Sequence, residues 1–303
     1  MMKIVILGGS GYLASCLCFY LKKNNKISLV SRSKKKINFK FKNVDIVKGN
    51  YYSLKSLIEI FKNKDYIFHL VGANSIYSNK NKKKSLNLKN KSTKVILEAA
   101  RKTNVKIIYF STSQVYKNIN RLDINEDSKI EKKNSYIKNH LIAENLILKD
   151  IKKNKMNHKI IRLSSTFGLP FWNRSKETFN LIINSLCHQA IKEKKMVIND
   201  SSVMRDFFPV RIFSKANTYL FNDKKNKIYN FGYKTILLID IAKIIQRICL
   251  KTFKFCPEII SKPYLIKKKL PKYKSKYFLI KKKNIEIENE ILNLLKLIYK
   301  NAR

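Results

Sequence analysis

The sequence predicts an α/β protein, a doubly wound parallel sheet with a smaller C-terminal lobe. Three observations lead to it. Short apolar, β-branched runs alternate with helical runs through the first half of the chain, as buried parallel strands and their crossover helices do. Glycine is scarce, with seven in 303 residues, yet three stand together at Gly8, Gly9 and Gly11. That cluster falls between the first strand and the first helix, where a backbone must turn tightly.

In chain order, Lys3 to Leu7 reads as the first strand and Tyr12 to Lys22 as an apolar helix closing on lysines. Lys26 to Ser31 and Val44 to Lys48 are the second and third strands. Ser53 to Phe61 is a helix with Ser53 as its N-cap, since a serine hydroxyl satisfies a free first-turn N–H. Tyr66 to Val71 is the fourth strand, Ser92 to Lys102 a helix, Lys106 to Ser111 the fifth strand, Tyr136 to Leu148 a helix and Lys159 to Ser164 the sixth strand. The lysine- and asparagine-rich run from Asn79 to Lys91 reads as a solvated loop and helix start. In the second half, Thr178 to Ile191 is a helix and Lys195 to Ile198 a short strand. Pro257, Pro263 and Pro271 among lysines suggest an irregular basic segment, and a helix from Ile285 to Tyr299 closes the chain.

Composition excludes several classes. The apolar content is 45%, with 17 Phe and 16 Tyr, which is incompatible with a disordered chain. No stretch is apolar enough to span a bilayer, so no membrane partner is expected. Five cysteines (16, 18, 187, 249 and 256) form no CxxC pair and four histidines are scattered, so neither a disulfide framework nor a metal site is expected, and a reducing cytoplasmic setting follows. The net charge of +45 would ordinarily suggest nucleic acid. However, only 9 of the 65 basic residues are Arg, and the Lys are spread over the whole length alongside abundant Ile and Asn. That pattern reflects biased codon composition, and no nucleic-acid partner is expected.

The strand, then Gly8-Gly9-Ser10-Gly11-Tyr12-Leu13-Ala14, then the helix, is an arrangement that holds a dinucleotide pyrophosphate. Glycines let the backbone approach the anion, and the helix N-terminus points unpaired N–H groups at it.

Further blocks follow in order. They are Gly49-Asn50, the strand ending His69-Leu70-Val71-Gly72, Ser111-Thr112-Ser113-Gln114-Val115-Tyr116, the Tyr136 to Glu144 run, Phe167-Gly168, and Arg205 to Val210. With the glycine turn they resemble the extended short-chain dehydrogenase/reductases, the NAD-dependent epimerase/dehydratase family, over roughly residues 3 to 250. His69-Leu70-Val71-Gly72 stands where that family has His-Leu-Ala-Ala. Tyr136 to Glu144 is similar to its Tyr-x-x-Ser-Lys-x-x-Ala-Glu.

The resemblance implies a Rossmann domain over residues 1–165 and a substrate-binding lobe over 166–303, partly interleaved with the sheet around 206–232. It implies a sugar-nucleotide epimerase or related reductase, in a setting such as polysaccharide synthesis, with a homodimer as a candidate assembly. Tyr136 would be the acid/base, Thr112 the supporting hydroxyl and Ser113 an adjacent substitute. Gly8, Gly11, Tyr12, Leu13 and Ala14 would hold the cofactor with Asn50 near the adenine. Arg205 and Asn180 would meet the substrate diphosphate.

Two features depart from the family pattern. His140 stands where the family has the lysine that bonds the nicotinamide ribose and lowers the tyrosine pKa. Histidine can still donate to the ribose, but with an ordinary pKa of ~6.5 it titrates near neutrality. This leaves a catalytically impaired NAD(P)-binding protein as the alternative to an enzyme. The second strand ends Ser31-Arg32-Ser33 without the carboxylate that would bind a 2′-hydroxyl, so Arg32 favours NADP over NAD.

Overall fold

The computed structural model describes residues 1–33, 41–120, 122–170, 181–214, 220–221, 223, 227–262, 270–277, 279–280 and 284–301. The chain runs β1 (Met2–Leu7), α1 (Tyr12–Leu21), β2 (Asn25–Ser31), β3 (Val44–Lys48), α2 (Leu54–Phe61), β4 (Tyr66–His69), α3 (Ser75–Lys80), α4 (Lys82–Thr103), β5 (Lys106–Thr112), α5 (Ser135–Asn154) and β6 (Lys159–Leu163). It continues through β7 (Ser165–Phe167), α6 (Ile182–Lys192), β8 (Lys195–Ile198), β9 (Met204–Pro209), β10 (Ile228–Phe231), β11 (Lys234–Leu237), α7 (Leu238–Phe253), β12 (Glu258–Ser261) and α8 (Asn284–Lys300).

Seven strands form one parallel sheet in the order β10-β6-β5-β4-β1-β2-β3. The order reverses between β1 and β4. In such sheets ligands bind outside the carboxyl ends of the strands at that switch point. Alternate residues of each strand serve opposite faces, because side chains in a strand have a period of two. Val5, Leu7, Ile67, Ile107 and Ile160 pack in one buried cluster, and Ile4, Ile6, Phe68, Ile108 and Ile161 in another. The first cluster takes in apolar residues of α2, α4 and α5, and the second those of α1, α6, α7 and α8. Both faces are therefore covered, which explains why the strands read as continuous apolar runs.

Within the expected interleaved stretch, Ile228–Phe231 joins the central sheet beside β6, whereas Met204–Pro209 lies between β7 and β11 in a separate three-stranded sheet. A second small sheet pairs β12 with β8, so part of the segment expected to be irregular forms a strand. Ser53 caps α2 as expected, accepting from Ser56 N at 3.3 Å.

The run 79–91 differs from expectation. Instead of a solvated loop it is almost wholly helical: α3 ends at Lys80 and α4 begins at Lys82, ten residues before the expected start. Ser85, Lys89, Ser92, Thr93 and Ile96 are buried along one face, spaced by helical steps that continue the Leu97, Ala99 and Ala100 stripe backwards.

A buried polar network fixes α5 against the sheet. Arg162 of β6 makes a two-pronged ion pair with Glu144 of α5, at 3.2 Å from Nε and 2.7 Å from Nη2, and Ser111 of β5 also donates to Glu144. Arg162 further donates to the Tyr116 hydroxyl, which donates to Asn230 of β10. The acidic end of the Tyr136 to Glu144 block therefore sets where Tyr136 sits.

Candidate active site

The glycine turn caps the switch point. Gly8 has φ +85°, and a side chain there would also meet the Leu70 carbonyl at 3.2 Å. A Cβ at Gly9 would come within 2.8 Å of Leu29. The turn is tied to β2 by Gly9 N donating to Val30 O at 2.7 Å. Tyr51, which sequence reasoning passed over, braces it from outside: Gly8 N donates to the Tyr51 hydroxyl at 3.0 Å, and that hydroxyl donates to Val30 O at 2.8 Å. Gly11 is the N-cap of α1 and no side chain satisfies the first-turn N–H groups.

From this turn a cavity of about 670 Å³ runs across the carboxyl ends of β4, β5 and β6. Gly8, Gly11, Tyr12, Leu13 and Ala14 line one end and Thr112, Ser113, Tyr136 and His140 the middle, while Arg205 borders it from β9. Of the expected catalytic set, all four are together. The Tyr12 hydroxyl is engaged, donating to Gly168 O at 2.5 Å, so this residue closes the wall beside the turn. Arg32 and Asn50 are both exposed, just past β2 and β3, and are not among the residues lining the cavity. Asn180 lies outside the described residues. Arg205 and Asp206 are neighbours in a strand and so point to opposite faces; Asp206 accepts from Tyr233 N at 2.8 Å.

Thr112 ends β5 and accepts from Gln114 N at 3.2 Å, the start of a single 3-10 turn over Ser113–Val115. The Thr112 hydroxyl works to lower the Tyr136 phenol pKa, but burial outweighs that and leaves it above its ordinary value. Tyr136 is at the start of α5, whose N-cap Asn134 accepts from Ile137 N at 3.0 Å. One turn on, the His140 ring meets the Tyr136 ring edge to face at 4.7 Å.

His140 is not the near-neutral titrating group its ordinary pKa suggested. Burial first, and the nearby Lys89 charge second, push its pKa well below the usual range, so the imidazole is neutral. Its Nδ1 is 2.8 Å from the Tyr109 hydroxyl. Burial holds Tyr109 well above its usual pKa, so that hydroxyl keeps its proton. With Tyr109 donating to Nδ1, the other nitrogen, Nε2, carries the ring proton.

Two further residues of this wall were not anticipated. Lys89 of α4 is 4% exposed, and its Nζ donates to Val71 O. Ser164, just past β6, has a buried hydroxyl with no hydrogen-bond partner among the described residues. Only the helical spacing of residues 85 to 96 could have signalled Lys89, and lysine-rich composition hid it.

The model of the NAD dependent epimerase/dehydratase family matches residues 4–232. The chain belongs to this family of enzymes. Its fold is also that of several solved structures. A UDP-N-acetylglucosamine 4-epimerase from Methanobrevibacter ruminantium M1, in complex with UDP-N-acetylmuramic acid, superposes with a TM-score of 0.81 at 20% identity over 99% of each chain. A UDP-glucose 4-epimerase from Thermotoga maritima with UDP-glucose gives 0.78 at 16% over 100% of both chains. MoeE5, in complex with UDP-glucose and NAD, gives 0.76 at 16% over 100% of both. No curated protein matches the sequence.

The cavity fits the family's dinucleotide. The glycine turn leaves the space a Cβ would fill, the α1 N-terminus is uncapped, and the unpartnered Ser164 hydroxyl offers a polar contact. Among the described residues no cluster of His, Cys, Asp or Glu is placed to hold a metal, and no helix is long and apolar enough to cross a membrane.

Proposed function

We propose that the protein is an NAD(P)-dependent sugar-nucleotide epimerase or related reductase with Tyr136 as acid/base. The observation that carries this reading is that Thr112 and Tyr136 line one cavity together with the glycine turn. When bound, the nicotinamide cofactor supplies the hydride acceptor and donor. Removing hydride from a sugar carbon requires its hydroxyl proton to leave, and Tyr136 is the group placed to take and return it. Because Thr112 accepts from Gln114 N, its own hydrogen is available to the phenol oxygen, favouring the ionised form.

Gly8, Gly11 and the first turn of α1 would hold the pyrophosphate, and His140 Nε2–H is a neutral donor suited to a ribose hydroxyl. Arg205, bordering the cavity from the second lobe, would meet the substrate diphosphate. Arg32, with no carboxylate beside it, supports a 2′-phosphate and hence NADP. UDP-sugars bound to the M. ruminantium and T. maritima neighbours support a nucleotide-sugar substrate.

The neutral His140 supports a second reading, an NAD(P)-binding protein impaired in turnover. The test is purification of the full chain, mass spectrometry of any retained cofactor and sugar nucleotide, and turnover across a sugar-nucleotide panel. Conversion of at least one sugar nucleotide supports the enzyme, and cofactor binding without any conversion supports the impaired protein.

A further inference from the structure

We propose that Lys89 is a cofactor-binding residue that holds the nicotinamide-side phosphate of the dinucleotide, between the glycine turn and Tyr136. The inference rests on the reading of this cavity as the NAD(P) site.

Sheet order places it there. β4 lies between β1 and β5, so the residues after β4 stand between the glycine turn that follows β1 and Thr112 at the end of β5. On one side, the Leu70–Val71 peptide lies against the turn: a Cβ at Gly8 would meet Leu70 C and O at 3.2 Å and Val71 N at 3.4 Å. Lys89 Nζ donates to the carbonyl of that same Val71. On the other side, Nζ lies 5.0 Å from the centroid of the Tyr109 ring, whose hydroxyl is 2.8 Å from His140 in the middle of the cavity. A dinucleotide with its pyrophosphate on the glycine turn and its nicotinamide at Tyr136 has to cross this point. Gly72 clears the same place. It lines the cavity and is exposed, and a Cβ there would come within 2.8 Å of Lys89 Nζ and 3.1 Å of its Cε. A side chain at 72 would crowd the ammonium; glycine, standing where the resembled family has alanine, leaves that space clear.

A buried ammonium is costly unless its charge is paired. Lys89 is 4% exposed, and among the described residues no carboxylate forms an ion pair with it. Its helix neighbours one turn away, Ser85, Leu86, Ser92 and Thr93, carry no charge. β4 faces it with His69, β5 with Tyr109 and α5 with His140, and burial with the Lys89 charge keeps both histidines neutral. Burial keeps Tyr109 and Tyr136 protonated through neutrality. Glu144 of α5 is taken by Arg162 and Ser111, and the titratable groups of α2 and α3 (Lys55, Glu59, Tyr77 and Lys80) are exposed. Val71 O takes one of the three ammonium hydrogens, which leaves two for an anion. Desolvation brings the free ammonium down to about 7, and a phosphate beside it would raise that value, so binding above about pH 7 should take up a proton.

NAD is the probe, because the 2′-phosphate of NADP itself titrates at about 6. Calorimetry on the full chain measures its affinity at about pH 6.5 and about pH 8.5. The parent should bind more tightly at the lower pH. Lys89→Met should weaken binding roughly tenfold at the lower pH and remove most of the pH dependence, so that the two proteins converge at the higher one. A purely structural lysine would not give a loss confined to the lower pH. AMP, which lacks the nicotinamide-side phosphate, should bind both proteins alike. If Lys89→Met disturbs folding by circular dichroism, Lys89→Gln takes its place. Equal NAD affinity in parent and variant, an unchanged pH dependence, or an equal loss for AMP overturns the inference. A parent that binds no NAD at either pH overturns the cofactor reading as well, which the other outcomes leave intact.

Discussion

The Tyr109 hydroxyl lies 2.8 Å from His140 Nδ1, joining the middle of β5 to the first turns of α5 beneath the cavity. This bond decides what His140 can be. A ring held by a buried phenol, half-buried itself and close to the Lys89 charge, is a fixed neutral donor.

His140 and His69 should therefore make the protein acid-sensitive while remaining silent near neutrality. Both are held well below their ordinary pKa by burial, so at low pH the unfolded chain binds protons that the folded one refuses. Above about pH 6.5 both states are neutral and neither ring contributes. Below it, each should cost about 1.4 kcal/mol of stability per pH unit until its folded pKa is reached. Urea unfolding between pH 7 and 5 measures this, and His140→Gln should flatten the slope; an unchanged slope would refute the neutral assignment.

Tyr136→Phe should abolish turnover without unfolding the protein, because only the phenol oxygen is lost from an otherwise unchanged ring. Loss of the acid/base should lower kcat on the order of 100- to 10,000-fold. Retained cofactor affinity together with lost turnover is the expected outcome. Retained turnover would remove Tyr136 from the mechanism.

NADP should bind more tightly than NAD, and Arg32→Asp should reverse the order. Loss of one charge-assisted phosphate contact costs roughly 1.5–3 kcal/mol. Calorimetry on the parent protein checks this, and equal affinities for the two cofactors would sink it.

Arg205→Ala should weaken sugar-nucleotide binding and leave cofactor binding unchanged, since β9 belongs to the small sheet and not to the glycine turn. Parallel loss of both affinities would mean that Arg205 holds the cavity together rather than meeting substrate.

Much of this site was legible in the sequence, because its parts are local. The glycine turn, the Ser111 to Tyr116 block and the Tyr136 helix each carry their signal within a few residues, and strand alternation places all three at carboxyl ends of one sheet. Arg32 and Asn50 were legible as positions after β2 and β3, and only the structure shows that neither lines the main cavity.

The sequence by itself determined the class of fold and the glycine turn, and its family resemblance singled out the tyrosine and threonine that line the cavity. Periodicity and turn chemistry are short-range properties and survive even in a lysine-saturated chain. The tertiary structure alone decided which of 56 lysines enters the cavity wall, that Gly72 makes way for it, and that His140 stays neutral. Burial and electrostatic field are properties of what surrounds a residue, and Lys89, Gly72, Tyr109 and His140 come from four separate segments that only the packed sheet and its helices bring together.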